Sequence, residues 1–206
     1  MTAALLAFAS GALITAVAFE LFEDAFEHGG AWRAGVAFFA GASAFILLSG
    51  AIEGRKRNRQ ARGAAVGLTI LAAVTLDGIP ENLAMGVGLV ESTSATLLVA
   101  IFASNLPEAI VGAEKMREHG YGPRRVLAIW SATAVLLAAA VIAGYALLDG
   151  VDGETLVWPL GFAAGAVLAS LADTLMPDAY AEAREHKWIA WFTALGFLLS
   201  FLVSSA

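Results

Sequence analysis

The sequence consists largely of long apolar runs separated by short polar segments. Crossing the ~30 Å hydrocarbon core of a bilayer takes a helix of about 20 apolar residues. Seven runs have about this length: 3–23, 32–52, 64–90, 94–116, 126–148, 155–178 and 187–205. Backbone polar groups inside a bilayer must be satisfied within the chain, which favours helices. We therefore predict an all-α, polytopic membrane helix bundle with seven spans, forming a single domain over 1–206.

Basic residues gather on one side of this predicted bundle. Eleven of the twelve Lys and Arg residues lie in three segments, 54–63, 115–125 and 184–187, and the exception is Arg33. If every run spans, these segments share a side, and cytoplasmic loops carry an excess of Lys and Arg. We expect loops 54–63 and 115–125 in the cytoplasm, in the cytoplasmic (inner) membrane of a bacterium. We interpret 54–63 as a topology determinant that contacts lipid, and expect no nucleic-acid partner.

The sequence contains no cysteine, which excludes disulfides, thiolate metal sites and cysteine nucleophiles. The first run lacks Lys and Arg and ends in Glu20, Glu23 and Asp24 instead of a small-residue cleavage site, so we predict a retained helix and not a signal peptide. Together with Glu27, these acids either gather cations at an outer mouth or form a solvated helix end.

Two Pro-Glu pairs interrupt the third and fourth runs. Pro80 and Pro107 are centred on position 93.5, inside the polar turn 91–95, so each proline lies about 13 residues or ~20 Å of helix from that position. Antiparallel helices then place the two glutamates at similar depth. Proline lacks the N–H that would bond the carbonyl four residues earlier, which leaves backbone oxygens available. Interrupted helices in corresponding positions are a sequence indication of a transporter's binding site.

Further oxygen donors accompany both glutamates. Asp77 shares a helix face with Glu81, and Asn105 shares one with Glu108, while Ser104 adds a hydroxyl. Oxygen-rich sites without thiols suit divalent cations such as Mn²⁺, Fe²⁺, Mg²⁺ or Zn²⁺. The alternative is that the two glutamates are protonated structural residues that bridge the helices.

Asp173 lies near the end of the sixth run, in the sequence Asp173-Thr-Leu-Met-Pro177. It either forms an exit or second metal site, or extends to the membrane interface as a structural residue. The sequence alone leaves both interpretations open.

The paired Pro-Glu motifs, the basic loop before the first of them, the segment Leu6–Thr15 and the D-x-L-M-P sequence together resemble the ZIP (Zrt/Irt-like protein) family of divalent metal transporters. The resemblance extends over essentially the whole chain. It implies eight helices, homodimers, and transport of zinc, iron, manganese or related ions toward the cytoplasm. It also implies a metal site whose ligands are Asp77, where many members have a histidine, together with Glu81, Ser104, Asn105 and Glu108.

Three departures from the family pattern matter. The chain starts at the family's second helix, so we expect that a segment encoding the first span is missing. Asp77 replaces the usual histidine and makes the site harder, which disfavours a strict zinc preference. Run 126–148 has no acidic residue and Gly78 has no side chain to bind a second metal, so we do not expect a binuclear site.

From these features we predict a membrane transporter that moves a divalent transition metal (zinc, manganese or iron) into the cytoplasm. The metal binds Asp77, Glu81, Ser104, Asn105 and Glu108 and leaves toward Asp173. We expect no prosthetic cofactor and no enzymatic activity; the partners are the metal ion, the lipid bilayer and a second copy in a homodimer. A metal-conducting channel and an intramembrane acid-pair enzyme are the alternatives.

Overall fold

Every regular element of the part of the chain that the structure describes is a helix. This computed structural model describes residues 2–60, 66–91, 95–183 and 187–204, with side chains for 3–51, 78–90, 97–106, 109–110, 112–114, 116–183 and 187–204. The helices are α1 (Thr2–Ala16), α2 (Glu23–Gln60), α3 (Val66–Glu91), α4 (Ala95–Glu118), α5 (Pro123–Leu148), α6 (Gly153–Ser170), α7 (Met176–Ala181) and α8 (Lys187–Ser204). Two π-helical segments, Val17–Phe22 and Leu171–Leu175, join α1 to α2 and α6 to α7. The predicted all-α fold is confirmed.

The first two apolar runs are joined by helix instead of the expected loop, and the chain folds back at Gly30. Gly30 has φ 73° and ψ 170°, the one non-helical backbone conformation inside α2. The rings of Phe22 and Phe38 lie 5.1 Å apart, whereas sixteen residues of straight helix would separate them by about 24 Å. A positive φ favours glycine, which has no Cβ to clash. Gly30 therefore allows two opposed helical segments where the sequence predicted a loop.

Four described helical stretches are long and apolar enough to cross a membrane. They are Ala3–Ala51, which contains the fold at Gly30, and Pro123–Leu148, Gly153–Ala181 and Lys187–Ser204. Large apolar side chains cover their outer surfaces, including Phe39, Leu127 and Trp191. Water would disfavour so much exposed hydrocarbon, whereas lipid tails match it. The protein is accordingly a membrane-embedded helix bundle.

The helices pack as three parallel pairs. Helix α1 runs parallel to α8, α2 to α6 and α3 to α5, because the contacts advance in the same direction along both members of each pair. These contacts are Phe8–Gly196, Ala12–Ser200 and Glu20–Ser204; Ala34–Gly161, Phe38–Gly165 and Ser49–Asp173; and Gly78–Leu137 and Gly86–Val141. Because α2 folds back on the end of α1, the first two pairs run in opposite directions.

Two of these pairs contain an internal repeat. The residues Phe8-Ala-Ser-Gly-Ala12 recur as Phe162-Ala-Ala-Gly-Ala166, 154 positions later. The two π-helical segments begin at Val17 and Leu171, which differ by the same number of positions. Helix α1 with α8 therefore corresponds to α6 with α2, in inverted orientation.

Glycine makes the repeated contact possible. Gly11 packs against the backbone carbonyl of Thr193 in α8, and Gly165 packs in the same way against the carbonyl of Phe38 in α2. A Cβ at either glycine would lie much closer to that oxygen than van der Waals contact allows. Small residues allow this close approach of helices in membranes.

The core lies along the central helices of the two repeats. Its largest fully buried side chains from these helices are Leu13, Leu21, Val157, Leu160 and Leu171. These side chains hold α1, α6 and their π-helical segments together at the centre of the bundle. Helix α1 also packs against α4.

Replacing Gly165 by Ala should destabilise the protein, because the added methyl group collides with the Phe38 carbonyl. We expect a loss of about 1–3 kcal/mol, the usual cost of overpacking. Gly35 in α2 is the control, because a Cβ added there would meet open space. Gly35→Ala should therefore be neutral or stabilise the helix by up to about 1 kcal/mol. Thermal unfolding in detergent measures both. Equal unfolding temperatures for the two variants would contradict the packing described above.

Candidate functional site

Glu81 and Ser104 join the two helices that carry the Pro-Glu pairs. The single hydrogen of the Ser104 hydroxyl is shared between Glu81 Oε2, at 3.3 Å, and the carbonyl of Ile101 in its own helix, at 2.9 Å. Glu81 is 4% exposed and Ser104 is fully buried. The structure thus places a buried carboxylate and a buried hydroxyl together, whereas the similar depth predicted for Glu81 and Glu108 stays a prediction.

A buried stripe on α4 sets the position of Ser104. Leu97, Ala100, Ile101 and Ser104 recur at helical spacings of three and four residues, and all four are buried. This stripe packs against α1. The face of α4 that carries Ser104 is consequently turned into the bundle and not toward lipid.

Pro80 and Asn82 shape α3 beside the carboxylate. Pro80 lies inside the helix and has no N–H to donate to the carbonyl of residue 76. The side-chain amide nitrogen of Asn82, which is buried, donates to the carbonyl of Gly78 at 2.8 Å. The amide nitrogen of Asn82 is therefore bonded within α3, and the amide oxygen is the atom of this side chain that can bind a cation.

The other predicted ligands are placed only in part. Residue 77 lies one turn before Glu81 on α3, and residue 108 lies one turn after Ser104 on α4. The side chains of Asp77 and Glu108 fall outside the described residues, and Asn105 is partly buried. Among the side chains that are described, no three acids or histidines form a group able to hold a metal. The ligand set therefore stays a prediction.

Asp173 lies in the second π-helical segment and is exposed. Its Oδ2 accepts a hydrogen bond of 3.1 Å from Ser49, a buried serine of α2. Ala166, which shares a cavity with Pro80, precedes Asp173 by about 10 Å along the helix. Asp173 is thus displaced along α6 from the level of Pro80, and its exit role stays a prediction.

Glu20, one of the four acids assigned from the sequence to an outer mouth or a solvated helix end, is buried. It lies in the first π-helical segment, is 8% exposed, and accepts a 2.6 Å hydrogen bond from Ser204 of α8. This differs from a solvated helix end. The internal repeat, whose two copies are 154 positions apart, is the sequence feature that relates Glu20 to Asp173. The two acids lie in the corresponding π-helical segments. Each acid accepts from a serine on the helix parallel to its own.

Comparison of the sequence with models of known protein families gives no match, and a search of curated proteins gives none either.

The contact between Glu81 and Ser104 can be tested by crosslinking, since the chain has no native cysteine. A Glu81→Cys/Ser104→Cys variant should react within one molecule with a short bifunctional thiol reagent. Phe102 lies on the lipid-exposed face of the same helix, so a Glu81→Cys/Phe102→Cys variant is the matched control. Intact mass measures the crosslinked fraction. Equal crosslinking in both variants would argue against the packing of α3 on α4.

Proposed function

We propose that this protein is a ZIP-like transporter that carries a divalent transition metal (zinc, manganese or iron) into the cytoplasm. The observation that carries the proposal is the buried Glu81 carboxylate, hydrogen-bonded to Ser104 of the neighbouring helix at the level of the two Pro-Glu motifs. The resemblance to the ZIP family supports the choice of cargo.

A carboxylate in this position needs a positive partner in its ionised form. An uncompensated carboxylate at the centre of a membrane helix costs about 2.5–3.5 kcal/mol on insertion scales. No Lys, Arg or His occurs between Arg62 and Lys115, a range that contains almost all of α3 and α4. The basic residues elsewhere lie at the ends of the apolar runs. A metal cation that binds Glu81 would supply such a positive partner.

The parallel helix pairs support the seven-span arrangement. If each run crosses once, the first and seventh runs point the same way, as do the second and sixth and the third and fifth. The pairs α1/α8, α2/α6 and α3/α5 have these directions. The positive-inside rule then assigns the basic segments 54–63 and 115–125 to the cytoplasm. The sequence predicted loops there, whereas α2 extends to Gln60 and α4 to Glu118. Single cysteines replacing Tyr121 and Asp149 should be labelled from opposite sides, the first from the cytoplasm; labelling of both from one side would contradict this topology.

In this orientation three acids are distributed across the membrane. Glu20 lies toward the outer side, Glu81 in the interior and Asp173 toward the cytoplasm. A cation attracted to the outer side exchanges bound water for the oxygens of Glu81 and Ser104, joined by Asp77, Asn105 and Glu108. Movement of one helix group against another then exposes the ion inward, near Asp173. The homodimer and the cytoplasmic membrane location belong to the same proposal.

Metal flux into proteoliposomes tests the proposal. Glu81→Gln and Glu108→Gln should each lower saturable uptake of Zn²⁺, Mn²⁺ or Fe²⁺ by at least about tenfold, since losing even an indirect metal partner costs that much. Glu114, an exposed acid of α4, provides the control Glu114→Gln, which should transport normally.

Three outcomes separate the alternatives. Uptake that saturates with metal concentration supports a carrier, whereas uptake that rises linearly supports a channel. Normal uptake by folded Glu81→Gln protein would overturn the assignment of the site. Absence of flux for every metal in folded, correctly inserted wild-type protein would overturn transport itself.

A further inference from the structure

A cavity of about 400 Å³ opens between the α2/α6 pair and the α3/α5 pair. All four helices contribute to its wall, which is almost entirely carbon. Pro80, the residue before the buried carboxylate, forms part of this wall together with Ile79. The cavity thus lies at the junction of two tightly packed helix pairs.

The cavity is open to the membrane-facing surface. Leu48, Leu147 and Phe162 lie at its rim and are 52%, 75% and 44% exposed, whereas Phe45 and Val87 are buried at its floor. Because the protein is embedded in a bilayer, the medium that meets this rim is hydrocarbon.

The cavity is elongated along the helices. On α3 its wall extends from Ile79 to Val87, about 12 Å of helix. One end lies at Leu148 and Pro159, beside the turn between α5 and α6, and the other lies at Leu48, further along the helices from that turn. Its long axis therefore follows the direction of the lipid chains.

We propose that the acyl chain of a zwitterionic phospholipid occupies this cavity. Water is disfavoured because an ordered water needs two to four polar partners, and apolar cavities stay dry. The hydrocarbon chain of a neighbouring lipid has matching chemistry and shape, and it reaches the cavity directly through the exposed rim.

The charges near the α5–α6 turn favour a zwitterionic head group. Asp149, Asp152 and Glu154 are exposed there, and Arg33 lies 3.7 Å from Glu154 in an ion pair. Acidic side chains attract the ammonium of such a lipid, and Arg33, whose side chain is half exposed beside Glu154, can also contact its phosphate. Three carboxylates would repel a head group with net negative charge.

This inference depends on the membrane position of the helices and not on metal transport. A chain in the cavity packs against Pro80 and fills the space between the α2/α6 and α3/α5 pairs. It therefore acts as a structural lipid that supports the part of α3 that contains Pro80.

Photocrosslinking measures this binding directly. The full-length protein in nanodiscs is exposed to phosphatidylcholine that carries a diazirine in its acyl chain, and labelled residues are mapped by mass spectrometry. Labelling of residues 79–87 and 144–148 should saturate as the probe fraction rises, because one chain fills one cavity. Labelling of the exposed face of α8 around Trp191 should rise in proportion to the probe, as expected for surrounding lipid.

Filling the cavity provides the second readout. Ala44 lines the cavity and is exposed, so Ala44→Phe adds a ring there without entering a packed helix contact, and should lower cavity labelling by about tenfold. Ala139 of α5 is exposed and lies outside the cavity wall, so Ala139→Phe should leave labelling unchanged.

Several results would overturn the proposal. One is cavity labelling in wild-type protein that rises in proportion to the probe, as on α8. Another is saturable labelling that folded Ala44→Phe protein retains. Crosslinks from the cavity to a second protein chain instead of lipid would identify a protein occupant and also contradict it. An anionic probe that labels the cavity better than phosphatidylcholine would overturn the head-group assignment.

Discussion

Close backbone contact between parallel helices is the interaction on which the rest of the structure depends. In a bilayer, helices gain little from hiding hydrocarbon, so association relies on close packing and on polar contacts between helices. Gly11 and Gly165 provide the packing at corresponding positions of the repeat, and neither has room for a methyl group. Serine and threonine hydroxyls add polar contacts, as when Thr15 donates to the carbonyl of Phe197 at 3.0 Å. These contacts form the two inverted pairs against which α3, α4 and α5 are arranged.

The candidate site follows from this arrangement because α4 packs on α1. That contact turns Ser104 into the bundle, where its hydroxyl meets Glu81 of α3. The prolines loosen backbone bonding in both helices next to the acids. A buried carboxylate and a buried hydroxyl in two helices that each contain a proline supply oxygen donors of the kind that a divalent cation requires.

Much of the fold could be predicted from the sequence. Apolar run length predicted an all-α membrane bundle. The equal distances of Pro80 and Pro107 from the intervening turn predicted that Glu81 and Glu108 lie at similar depth, and this stays a prediction because the Glu108 side chain lies outside the described residues. The helical connection through residues 24–31 was not predicted, because it depends on the positive φ of a single glycine. The burial of Glu20 depends on Ser204, 184 positions away, and pairing at that distance has no local sequence signal. The repeat of Phe-Ala-x-Gly-Ala was the one long-range indication present in the chain.

The central claim is that the Glu81 carboxylate binds the cation that the protein carries. The most direct measurement is anomalous diffraction from crystals of the protein soaked in Mn²⁺. We predict a peak at about 2.0–2.6 Å from a Glu81 carboxylate oxygen, the range of hard-cation ligand distances, and its loss in crystals of the Glu81→Gln variant. Peaks confined to surface acids such as Glu23 and Glu27 at saturating Mn²⁺ would contradict the claim.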